Sequence, residues 1–326
     1  MSHPALTQTT APGGSALLGF GSTQGNRVVT NHDLAKVVDT NDEWIQQRVG
    51  IVHRRLGDPD QTVVAMAVEA GSKAIADAGL APSDVDQVIV ATCTMPGQIP
   101  NAAAQVADQI GIKSQGAFDV NAACAGFVYA LSVASDAVRA GSARNVLVVG
   151  SERFQEWLDW EDRANCIIFA DGAGATVVGA GERAGLGPAV LGSAGDLADT
   201  IYLRDQKYIY QEGQSVFRWA TTQIAPVAAR AVAAAGLELS DIDVLVPHQA
   251  NLRIVEAIAK KLQGQGARED LVVARDIVYS GNTSSASIPL AIDHMRAAGE
   301  ISSGDVLLLV GFGAGLSYAG QVVVCP

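Results

Sequence analysis

Cys124 has the surroundings of a reactive thiol. It follows a short apolar strand and a turn of small residues, and the helix after it carries no charge before Asp136. Free N–H groups and the positive dipole end at a helix start favour the thiolate form of a cysteine. A cysteine without this context is more often a plain buried residue. We expect that simpler role for the other three cysteines, Cys93, Cys166 and Cys325.

His248 and Asn282 are two further candidates for chemistry. His248 lies between an apolar strand and an amphipathic helix, and Asn282 follows Gly281 in a polar loop. A neutral imidazole and a side-chain amide can both donate hydrogen bonds to a developing oxyanion. The alternatives are a structural histidine and an ordinary turn asparagine. Taken singly, neither signal decides between chemistry and structure.

The glycine-rich loop Gly311–Gly315 follows a clear apolar strand. It does not have the G-x-G-x-x-G spacing that opens a helix in dinucleotide-binding proteins, so a phosphate cradle is not expected. Its backbone N–H groups would instead suit an oxyanion hole beside the thiol.

An internal repeat positions these loops. Residues 78–90 match residues 235–247 at an offset of 157, with six of the thirteen positions identical. Asp119-Val120 recurs at the same offset as Asp276-Ile277. Duplicated supersecondary units indicate duplicated architecture. The offset places Cys124 and the loop at 281–282 after equivalent strands, and equivalent loops of two related halves can converge on one site.

Alternating helical and strand patterns predict the fold class. Apolar residues recur at helical spacing from Val64 to Ala78, and Val88–Val90 is a short, wholly apolar strand. Such alternation predicts a duplicated α/β fold with largely parallel strand pairing. We place a flexible lead at residues 1–15, an N-terminal half with the nucleophile at 16–182, and a C-terminal half with the histidine and asparagine at 183–326.

Composition excludes several classes of function. The chain has 326 residues, is 48% hydrophobic and carries a net charge of −12, which argues against a nucleic-acid partner. No apolar run reaches the ~20 residues that a membrane helix needs, and the polar N-terminus lacks a signal-peptide pattern. The four cysteines lack metal-ligand spacing, so we expect reduced thiols, no metal and a cytoplasmic location.

Four motifs are specific in combination: Ala122–Phe127, Pro247–Asn251, Gly281–Ser284 and Gly311–Gly315. Together they resemble the motifs of β-ketoacyl-acyl carrier protein (ACP) synthase III, the initiating condensing enzyme of dissociated fatty-acid synthesis. Asp39–Ile45 with Arg48–Ile51 also resembles the N-terminal signature of this family, and the likeness runs from Gly19 to Val324. The resemblance implies the five-layer α-β-α-β-α thiolase fold, usually as a homodimer.

The resemblance also implies a reaction. Cys124 would accept a starter acyl group from acyl-CoA, which is a substrate, so no cofactor is implied. His248 and Asn282 would polarise the malonyl-ACP thioester, so that decarboxylation yields a carbanion that attacks acyl-Cys124 and releases 3-oxoacyl-ACP. The backbone N–H groups of Cys124 and Ala314 would form a second oxyanion hole, although the family commonly has glycine in place of Ala314.

Binding residues follow from the same resemblance. The positions that match CoA contacts are Thr40, Trp44, Arg48, Arg163, Gly213, Asn251 and Arg253. The acyl-pocket positions are Ile99, Phe169 and Leu316, of which Ile99 would close the pocket of a dimer partner. Arg253, Lys260 and Lys261 form a basic patch suited to docking an acidic carrier protein. The alternative for the two lysines is a solvated helix face. The starter chain stays open between acetyl, branched and medium-length groups.

Three other functions share parts of this pattern. A relative in secondary (polyketide-type) metabolism would condense, or simply transfer, the acyl group onto another acceptor. A cysteine hydrolase also uses cysteine, histidine and asparagine, but the local signature around its cysteine is absent and the duplication argues against it. A non-catalytic partner subunit would normally lack the nucleophile.

Overall fold

The computed structural model describes residues 14–113, 116–181 and 184–326. The predicted lead therefore falls almost wholly outside the described residues, as does the predicted division between residues 182 and 183, which stays a prediction. The described strands are β1 (Ser15–Gln24), β2 (Arg27–Thr30), β3 (His53–Leu56), β4 (Gln87–Ala91), β5 (Gly116–Val120), β6 (Asn145–Arg153), β7 (Asp171–Ala180), β8 (Val190–Gly192), β9 (Ile201–Arg204), β10 (Tyr208–Gln211), β11 (Val244–Pro247), β12 (Val272–Val273), β13 (Val306–Phe312) and β14 (Tyr318–Val324).

The helices lie between these strands. They are α1 (Asn31–Leu34), α2 (Asp42–Val49), α3 (Val63–Asp77), α4 (Ala102–Ile110), α5 (Gly126–Arg139), α6 (Gly213–Ala234), α7 (Leu252–Gln263), α8 (Ile277–Ser280) and α9 (Ser287–Ala297). The longer helices have one apolar face. In α7, for example, Ile254, Val255, Ile258 and Leu262 are buried while the intervening polar residues are exposed.

Two five-stranded sheets form the framework, and corresponding strands follow each other in the same order in both. The first has the order β1-β7-β6-β4-β5, and the second has the order β8-β14-β13-β11-β12. Each therefore places its first strand at one edge and, at the other, β5 or β12, which precedes the Cys124 loop or the Asn282 loop. The short hairpins β2-β3 and β9-β10 lie outside both sheets.

Helices and sheets form five layers, and three buried apolar clusters fill the space between them. Helices α3 and α4 pack on the outer face of the first sheet, with Leu147 and Val88 among the buried contacts. Helices α5 and α9 lie between the sheets, and their cluster contains Ile89 from one sheet and Leu309 from the other. Helices α6 and α7 cover the outer face of the second sheet. The expected duplicated α-β-α-β-α architecture is confirmed.

The expectation of largely parallel pairing is wrong for half of the strand pairs in the two five-stranded sheets. In the first sheet β4 pairs in parallel with β5 and β6, whereas β6-β7 and β7-β1 are antiparallel. The second sheet repeats this division. A parallel neighbour needs a crossover connection, usually a helix. No such helix follows β6 or β13 in the described chain, so β7 and β14 return antiparallel to them.

The repeat seen in the sequence has a matching local structure. Asp84 accepts a hydrogen bond from the N–H of Ala81 at 2.8 Å, and Asp241 accepts the equivalent bond from Glu238 at 2.8 Å. Each pair closes a short 3-10 turn that leads into β4 or β11. The expected equivalence of residues 78–90 and 235–247 is therefore reproduced bond by bond.

The offset of the repeat changes after β5 and β12. The 3-10 turns that follow these strands begin at Ala123 and Ser284, 161 residues apart, and α5 and α9 begin at Gly126 and Ser287, again 161 apart. The second half contains the additional helix α8 before its turn. Cys124 is therefore equivalent to Ser285, and the expected equivalence with residue 281 is wrong.

The two halves meet through reciprocal contacts of these turns. Gly150 in β6 lies against the turn of the second half, where an added Cβ would be 2.4 Å from the carbonyl oxygen of Ser285. Gly311 in β13 lies against the turn of the first half, where a Cβ would be 2.9 Å from Cα of Ala125. Glycine at both positions thus lets each turn approach the central strand of the opposite sheet.

Candidate active site

One cavity of about 780 Å³ collects most of the predicted site residues. Cys124, His248 and Asn282 all line it, as expected from loops that follow equivalent strands. Seven other predicted residues also line it: Arg48, Phe169, Gly213, Asn251, Arg253, Ala314 and Leu316. The cavity therefore joins the thiol to a basic opening.

Cys124 lies on a strained 3-10 turn just before α5. The preceding Ala123 has φ +46°, in the left-handed region that non-glycine residues seldom adopt. Its counterpart Ser284 has φ +51°, so both turns carry the same strain at the same place. The side chain of Asn121 accepts from the N–H of Ala123 and that of Asn282 accepts from the N–H of Ser284, which supports each turn locally.

Desolvation dominates the ionisation of Cys124. Burial raises the pKa of this thiol to about 12; a hydrogen bond with Ser284 lowers it, and the buried carboxyl of Glu152 raises it. The expectation that the helix start favours the thiolate is therefore wrong for the resting site. Loss of water around the sulfur outweighs the favourable end of the helix. The thiol must lose its proton as acyl transfer proceeds.

His248 is buried and neutral. Burial lowers the pKa of this imidazole to about 3, and the ring packs edge-on against Phe312 with centroids 5.2 Å apart. Its Nδ1 lies 2.7 Å from Oγ of Ser287, which also accepts from the N–H of Gln249 at 3.3 Å. We infer that Ser287 donates its own hydrogen to Nδ1, in which case Nε2 carries the ring hydrogen. His248 is thus arranged as a hydrogen-bond donor.

Asn282 is held so that its NH₂ group is the free end of the amide. Its Oδ1 accepts from the N–H of Ser284 at 2.8 Å. Its backbone forms a bridge to the chain beside Phe169, since Asn282 N donates to Ile168 O and Ala170 N donates to Asn282 O, each at 2.9 Å. The side chain is 4% exposed and borders the cavity. The amide therefore offers a donor from a fixed backbone.

This set of groups suits thioester chemistry. A thiol can form a covalent acyl intermediate, and two N–H donors beside it can stabilise the oxyanion of an enolate or a tetrahedral intermediate. The backbone N–H groups of Cys124 and Ala314 each lie in a short 3-10 turn beginning at Ala123 or Ala314. Leading N–H groups of a helical turn have no carbonyl partner within it, which leaves them available to an acceptor.

The opening of the cavity is basic and partly aromatic. The guanidinium of Arg253 lies 5.2 Å from the ring centroid of Phe217. Asn251 caps α7, because its Oδ1 accepts from the N–H of Arg253 at 2.9 Å, and its Nδ2 donates to the carbonyl of Arg48 at 3.3 Å. Both polar atoms of Asn251 therefore already have protein partners. Gly213 begins α6 at the same opening.

Three predicted CoA positions do not line the cavity. Arg163 stacks over the ring of Trp44 at 5.0 Å and donates to the carbonyl of Asp39 at 3.0 Å. The third, Thr40, has a buried hydroxyl without a partner among the described residues. The neighbouring Asp162 borders the cavity, so the stacked pair lies next to its opening.

The predicted acyl-pocket residues occupy different settings. Phe169 is 4% exposed and stacks on Phe154 with centroids 4.5 Å apart, and Leu316 is 1% exposed; both line the cavity. Ile99 is 91% exposed and does not border the cavity of the single chain.

Lys260 and Lys261 lie in the last turn of α7 and are exposed. Arg253 is exposed at the first turn of the same helix. The three cations are therefore carried by one helix that starts at the cavity opening. Positive charge in a last turn also interacts favourably with the helix dipole, which is the alternative explanation for the two lysines.

Several residues of the site were not recognised from the sequence. Cys93 was expected to be a plain buried cysteine, but it borders the same cavity as Cys124, so that expectation is wrong. Ser287 contacts His248, and Ser284 borders the cavity. Glu152 is fully buried and accepts hydrogen bonds from Ser284 and Ser285. The one feature that could have marked Glu152 as a site residue is its charge at the end of the long apolar strand at 146–150.

No group of three or more histidine, cysteine, aspartate or glutamate residues in the described part of the chain is arranged to hold a metal ion. Among the described helices, none has both the length and the apolar character required to span a membrane.

Comparison with known families gives two matches. Residues 118–195 match the family described as 3-oxoacyl-[acyl-carrier-protein (ACP)] synthase III. Residues 232–325 match the C-terminal region of the same family. The matched segments include Cys124 in the first and both His248 and Asn282 in the second.

Individual relatives extend the likeness over nearly the whole chain. Beta-ketoacyl-[acyl-carrier-protein] synthase III 4 of Streptomyces coelicolor is 50% identical over 317 residues, covering 96% of this chain and 99% of the relative. The solved priming beta-ketosynthase of the R1128 polyketide biosynthetic pathway superposes with a TM-score of 0.95, at 40% identity and 99% coverage of both chains. The solved 3-oxoacyl-[acyl-carrier-protein] synthase III of Aquifex aeolicus gives a TM-score of 0.90, at 36% identity and coverage of 96% and 100%.

Proposed function

Because the chain belongs to the 3-oxoacyl-[acyl-carrier-protein] synthase III family, we propose that it condenses an acyl-CoA starter with malonyl-ACP and thereby initiates fatty-acid synthesis. The products are 3-oxoacyl-ACP, CoA and carbon dioxide. The observation that carries this proposal is the single cavity bordered by Cys124, His248 and Asn282 in a chain that is 50% identical to a synthase III.

The first step transfers the starter to Cys124. The thioester of acyl-CoA enters the cavity and the sulfur of Cys124 attacks its carbonyl. The backbone N–H groups of Cys124 and Ala314 stabilise the oxyanion of the tetrahedral intermediate, because both begin turns with free donors. The intermediate collapses, CoA leaves as a thiolate that takes a proton from water, and the acyl group stays on the enzyme.

The second step decarboxylates malonyl-ACP. His248 through Nε2–H and Asn282 through Nδ2–H donate to the thioester oxygen of the malonyl group. Loss of carbon dioxide then leaves an enolate whose negative charge lies on that oxygen. A neutral imidazole suits this role, and burial keeps the pKa of His248 at about 3. The enolate carbon attacks the acyl-Cys124 carbonyl, and the Cys124 sulfur leaves.

The basic cavity opening fits CoA. Arg48 and Arg253 border it, and the stacked pair of Arg163 and Trp44 lies beside it. Arginine pairs with phosphate through a planar fork of donors, and an indole presents a face to adenine. We assign these four residues to CoA recognition with Thr40, Gly213 and Asn251, and infer that Asn251 contributes mainly by capping α7.

The acyl chain occupies the inner end of the cavity in this proposal. Phe169 and Leu316 supply apolar walls there. The 91% exposure of Ile99 leaves its side chain available to a second copy of the chain, which supports a homodimer in which Ile99 closes the partner's pocket. The length and branching of the starter follow from that closure.

Carrier-protein docking is assigned to α7. Arg253, Lys260 and Lys261 are exposed along one helix next to the cavity opening, in a chain of net charge −12. A local basic surface on an acidic protein attracts an acidic partner and sets its approach.

The four cysteines are free, which agrees with a reducing cytoplasmic location. The proposed steps use a thiol and N–H donors, and they require no cofactor.

A second function keeps the same chemistry with another pathway. The TM-score of 0.95 to a priming ketosynthase of polyketide biosynthesis supports priming of a secondary-metabolite chain. The acceptor, rather than the reaction, separates the two functions. Purified protein is incubated with one acyl-CoA at a time and with malonyl groups on carrier proteins of either pathway, and 3-oxoacyl-ACP is followed. Product on neither carrier protein would refute both functions.

A further inference from the structure

Glu152 is a buried acid that the proposed steps do not use. It lies near the end of β6 with 0% exposure. Burying a carboxyl is costly unless hydrogen bonds compensate for it, so the partners of such a group are built into the fold. The segments that supply these partners therefore indicate what Glu152 holds in place.

The first group of partners comes from the loop that follows β4. Oε2 of Glu152 accepts from the N–H of Cys93 and from the N–H of Thr94, each at 3.1 Å. The hydroxyl of Thr94 donates to the same oxygen at 2.6 Å, while its own oxygen accepts from the N–H of Arg153 at 2.9 Å. These bonds fix the carboxyl to the first half of the chain.

The second group of partners comes from the 3-10 turn Ser284–Ala286 of the second half. The hydroxyl of Ser284 donates to Oε1 at 3.2 Å, and that of Ser285 lies 2.8 Å from the same oxygen. Cys93 also faces this oxygen, through its N–H at 3.2 Å and its thiol at 3.4 Å. Glu152 therefore joins segments of both halves, and two of its partners, Cys93 and Ser284, border the cavity.

Ser284 is the partner whose conformation matters for the chemistry. It has φ +51°, in the left-handed region that side chains disfavour, and it keeps that conformation within a buried turn. There its N–H donates to Oδ1 of Asn282 at 2.8 Å, which leaves the NH₂ group as the free end of the amide. A strained backbone persists only where surrounding contacts hold it, and the bond from Ser284 to Glu152 is such a contact.

The first half contains the same turn without this anchor. Ala123 has φ +46° at the position equivalent to Ser284, but it has no hydroxyl with which to bond a neighbouring acid. Its N–H donates to Oδ1 of the exposed Asn121 at 3.3 Å, whereas the equivalent bond to Asn282 is 2.8 Å long. The asparagine is thus held more closely in the half whose turn is anchored by Glu152.

The duplicated fold shows what the acid replaces. Gly150 and Gly311 are 161 residues apart, and each lies against the turn of the opposite half. Two residues further along stand Glu152 and Gly313, which are therefore equivalent. A Cβ at Gly313 would lie 2.7 Å from the nitrogen and 3.1 Å from the sulfur of Cys124, so glycine keeps the space beside the thiol open. The equivalent space beside the other turn is filled by the side chain of Glu152.

We propose that Glu152 is a positioning residue for decarboxylation, because it holds Ser284 in the conformation that orients the amide of Asn282. This inference rests on the proposed function. Glu152 acts through Ser284, and no bond is made or broken at its carboxyl. Asn282 then presents its Nδ2–H to the malonyl thioester oxygen from a fixed orientation, as a preorganised oxyanion donor must.

The test compares decarboxylation with acylation in variants of this anchor. Ser284→Ala removes the hydroxyl and leaves the bonds from Cys93 and Thr94 to the carboxyl in place. Glu152→Gln replaces one carboxyl oxygen by an NH₂ group that must face donors. Carbon dioxide release from malonyl-ACP gives kcat and KM, and acylation of Cys124 by acyl-CoA is followed by mass spectrometry of its peptide.

Each variant has a matched control. Ser151→Ala removes an equally buried hydroxyl, which donates to the carbonyl of Val63 at 2.7 Å instead. Asp171→Asn alters an equally buried carboxyl, which accepts from the N–H groups of Gly57 and Gln155. Both controls should keep the kcat of decarboxylation, because neither side chain bonds the turn of the second half.

We expect Ser284→Ala to lower the kcat of decarboxylation about tenfold, since loss of this hydrogen bond frees the amide to leave its orientation. Glu152→Gln should lower it at least as much, and both variants should keep the KM for malonyl-ACP and still acylate Cys124. In an Asn282→Ala background, Ser284→Ala should cause no further decrease, because the residue through which it acts is already gone. If Glu152→Gln does not fold, Ser284→Ala decides.

Three outcomes would overturn the inference. One is an unchanged kcat of decarboxylation in Ser284→Ala. Another is an equal loss of acylation and decarboxylation, which would indicate general damage to the cavity. The third is a further decrease of the same size when Ser284→Ala is added to Asn282→Ala, which would mean that the two residues act independently. Absence of carbon dioxide release by the wild type would instead refute the proposed function.

Discussion

The hydroxyl of Ser287 lies 2.7 Å from Nδ1 of His248, and the N–H of Gln249 donates to the same hydroxyl oxygen at 3.3 Å. We infer that the serine hydrogen points to Nδ1, so that the opposite ring nitrogen keeps its hydrogen for a substrate. In this arrangement Ser287, which begins α9, selects the tautomer of His248, which follows β11.

Ser287→Ala should slow decarboxylation of malonyl-ACP about tenfold, because loss of one hydrogen bond costs ~1.4 kcal/mol and leaves the imidazole free to adopt the wrong tautomer. Acylation of Cys124 should be unchanged. The measurement is carbon dioxide release, with Ser142→Ala as the control, since that serine is exposed and bonds only the carbonyl of Ala137. Equal rates in both variants would contradict the tautomer assignment.

Asn282→Asp separates the two ends of the amide. The carboxylate can still accept from the N–H of Ser284, so the turn should persist, but the donor to the enolate oxygen is lost. We expect decarboxylation to fall ~10²- to 10³-fold, the size seen when one oxyanion donor is removed. Asn282→Ala should likewise lose decarboxylation, and both variants should still acylate Cys124. Wild-type condensation in either would refute the role of Asn282.

Gly150→Ala tests the contact between the halves. The added methyl group would lie 2.4 Å from the carbonyl oxygen of Ser285, a backbone atom, so overpacking should lower the free energy of unfolding by about 1–3 kcal/mol. Thermal unfolding measures this change. Gly195→Ala is the control, because nothing lies within 4 Å of a Cβ there. Equal melting temperatures for the two variants would mean that the turns do not pack as described.

The docking assignment for α7 is tested by reversing its charge. Lys260→Glu combined with Lys261→Glu should raise the KM for malonyl-ACP several-fold and leave acylation by acyl-CoA unchanged, since surface charge acts on association with a charged partner. The effect should diminish as salt is added. Lys113→Glu, another exposed lysine, serves as the control. An unchanged KM for malonyl-ACP would favour the solvated-face explanation.

The duplicated fold could be predicted from the sequence because the repeat is determined by local residues. Residues 78–90 and 235–247 determine a turn and a strand from their own side chains, as the matching bonds of Asp84 and Asp241 demonstrate. The shift from 157 to 161 was not visible, because the inserted helix α8 has no counterpart from which an insertion could be recognised. The placement of Cys124, His248 and Asn282 around one cavity survived that error, because the Cys124 and Asn282 loops still follow the equivalent edge strands β5 and β12 and the His248 loop follows β11, the neighbour of β12.

The supporting residues of the site could not be predicted in this way. Ser284, Ser285 and Ser287 stand in a run rich in serine, and only the packing of two turns from opposite halves distinguishes their partners. The pKa of Cys124 was misjudged for a related reason. A helix start is a local feature, whereas the desolvation that raises this pKa to about 12 depends on the whole surrounding fold.

The most direct measurement is a single-turnover mass analysis of the Cys124 peptide. Purified protein is mixed with equimolar acyl-CoA and then with malonyl-ACP, and the mass of the Cys124 peptide is measured after each addition. We predict that Cys124 gains the mass of the acyl group in the first step, and loses it in the second as 3-oxoacyl-ACP and carbon dioxide appear in equal amounts. An unmodified Cys124, or an acyl group that persists after malonyl-ACP is decarboxylated, would contradict the proposed condensation.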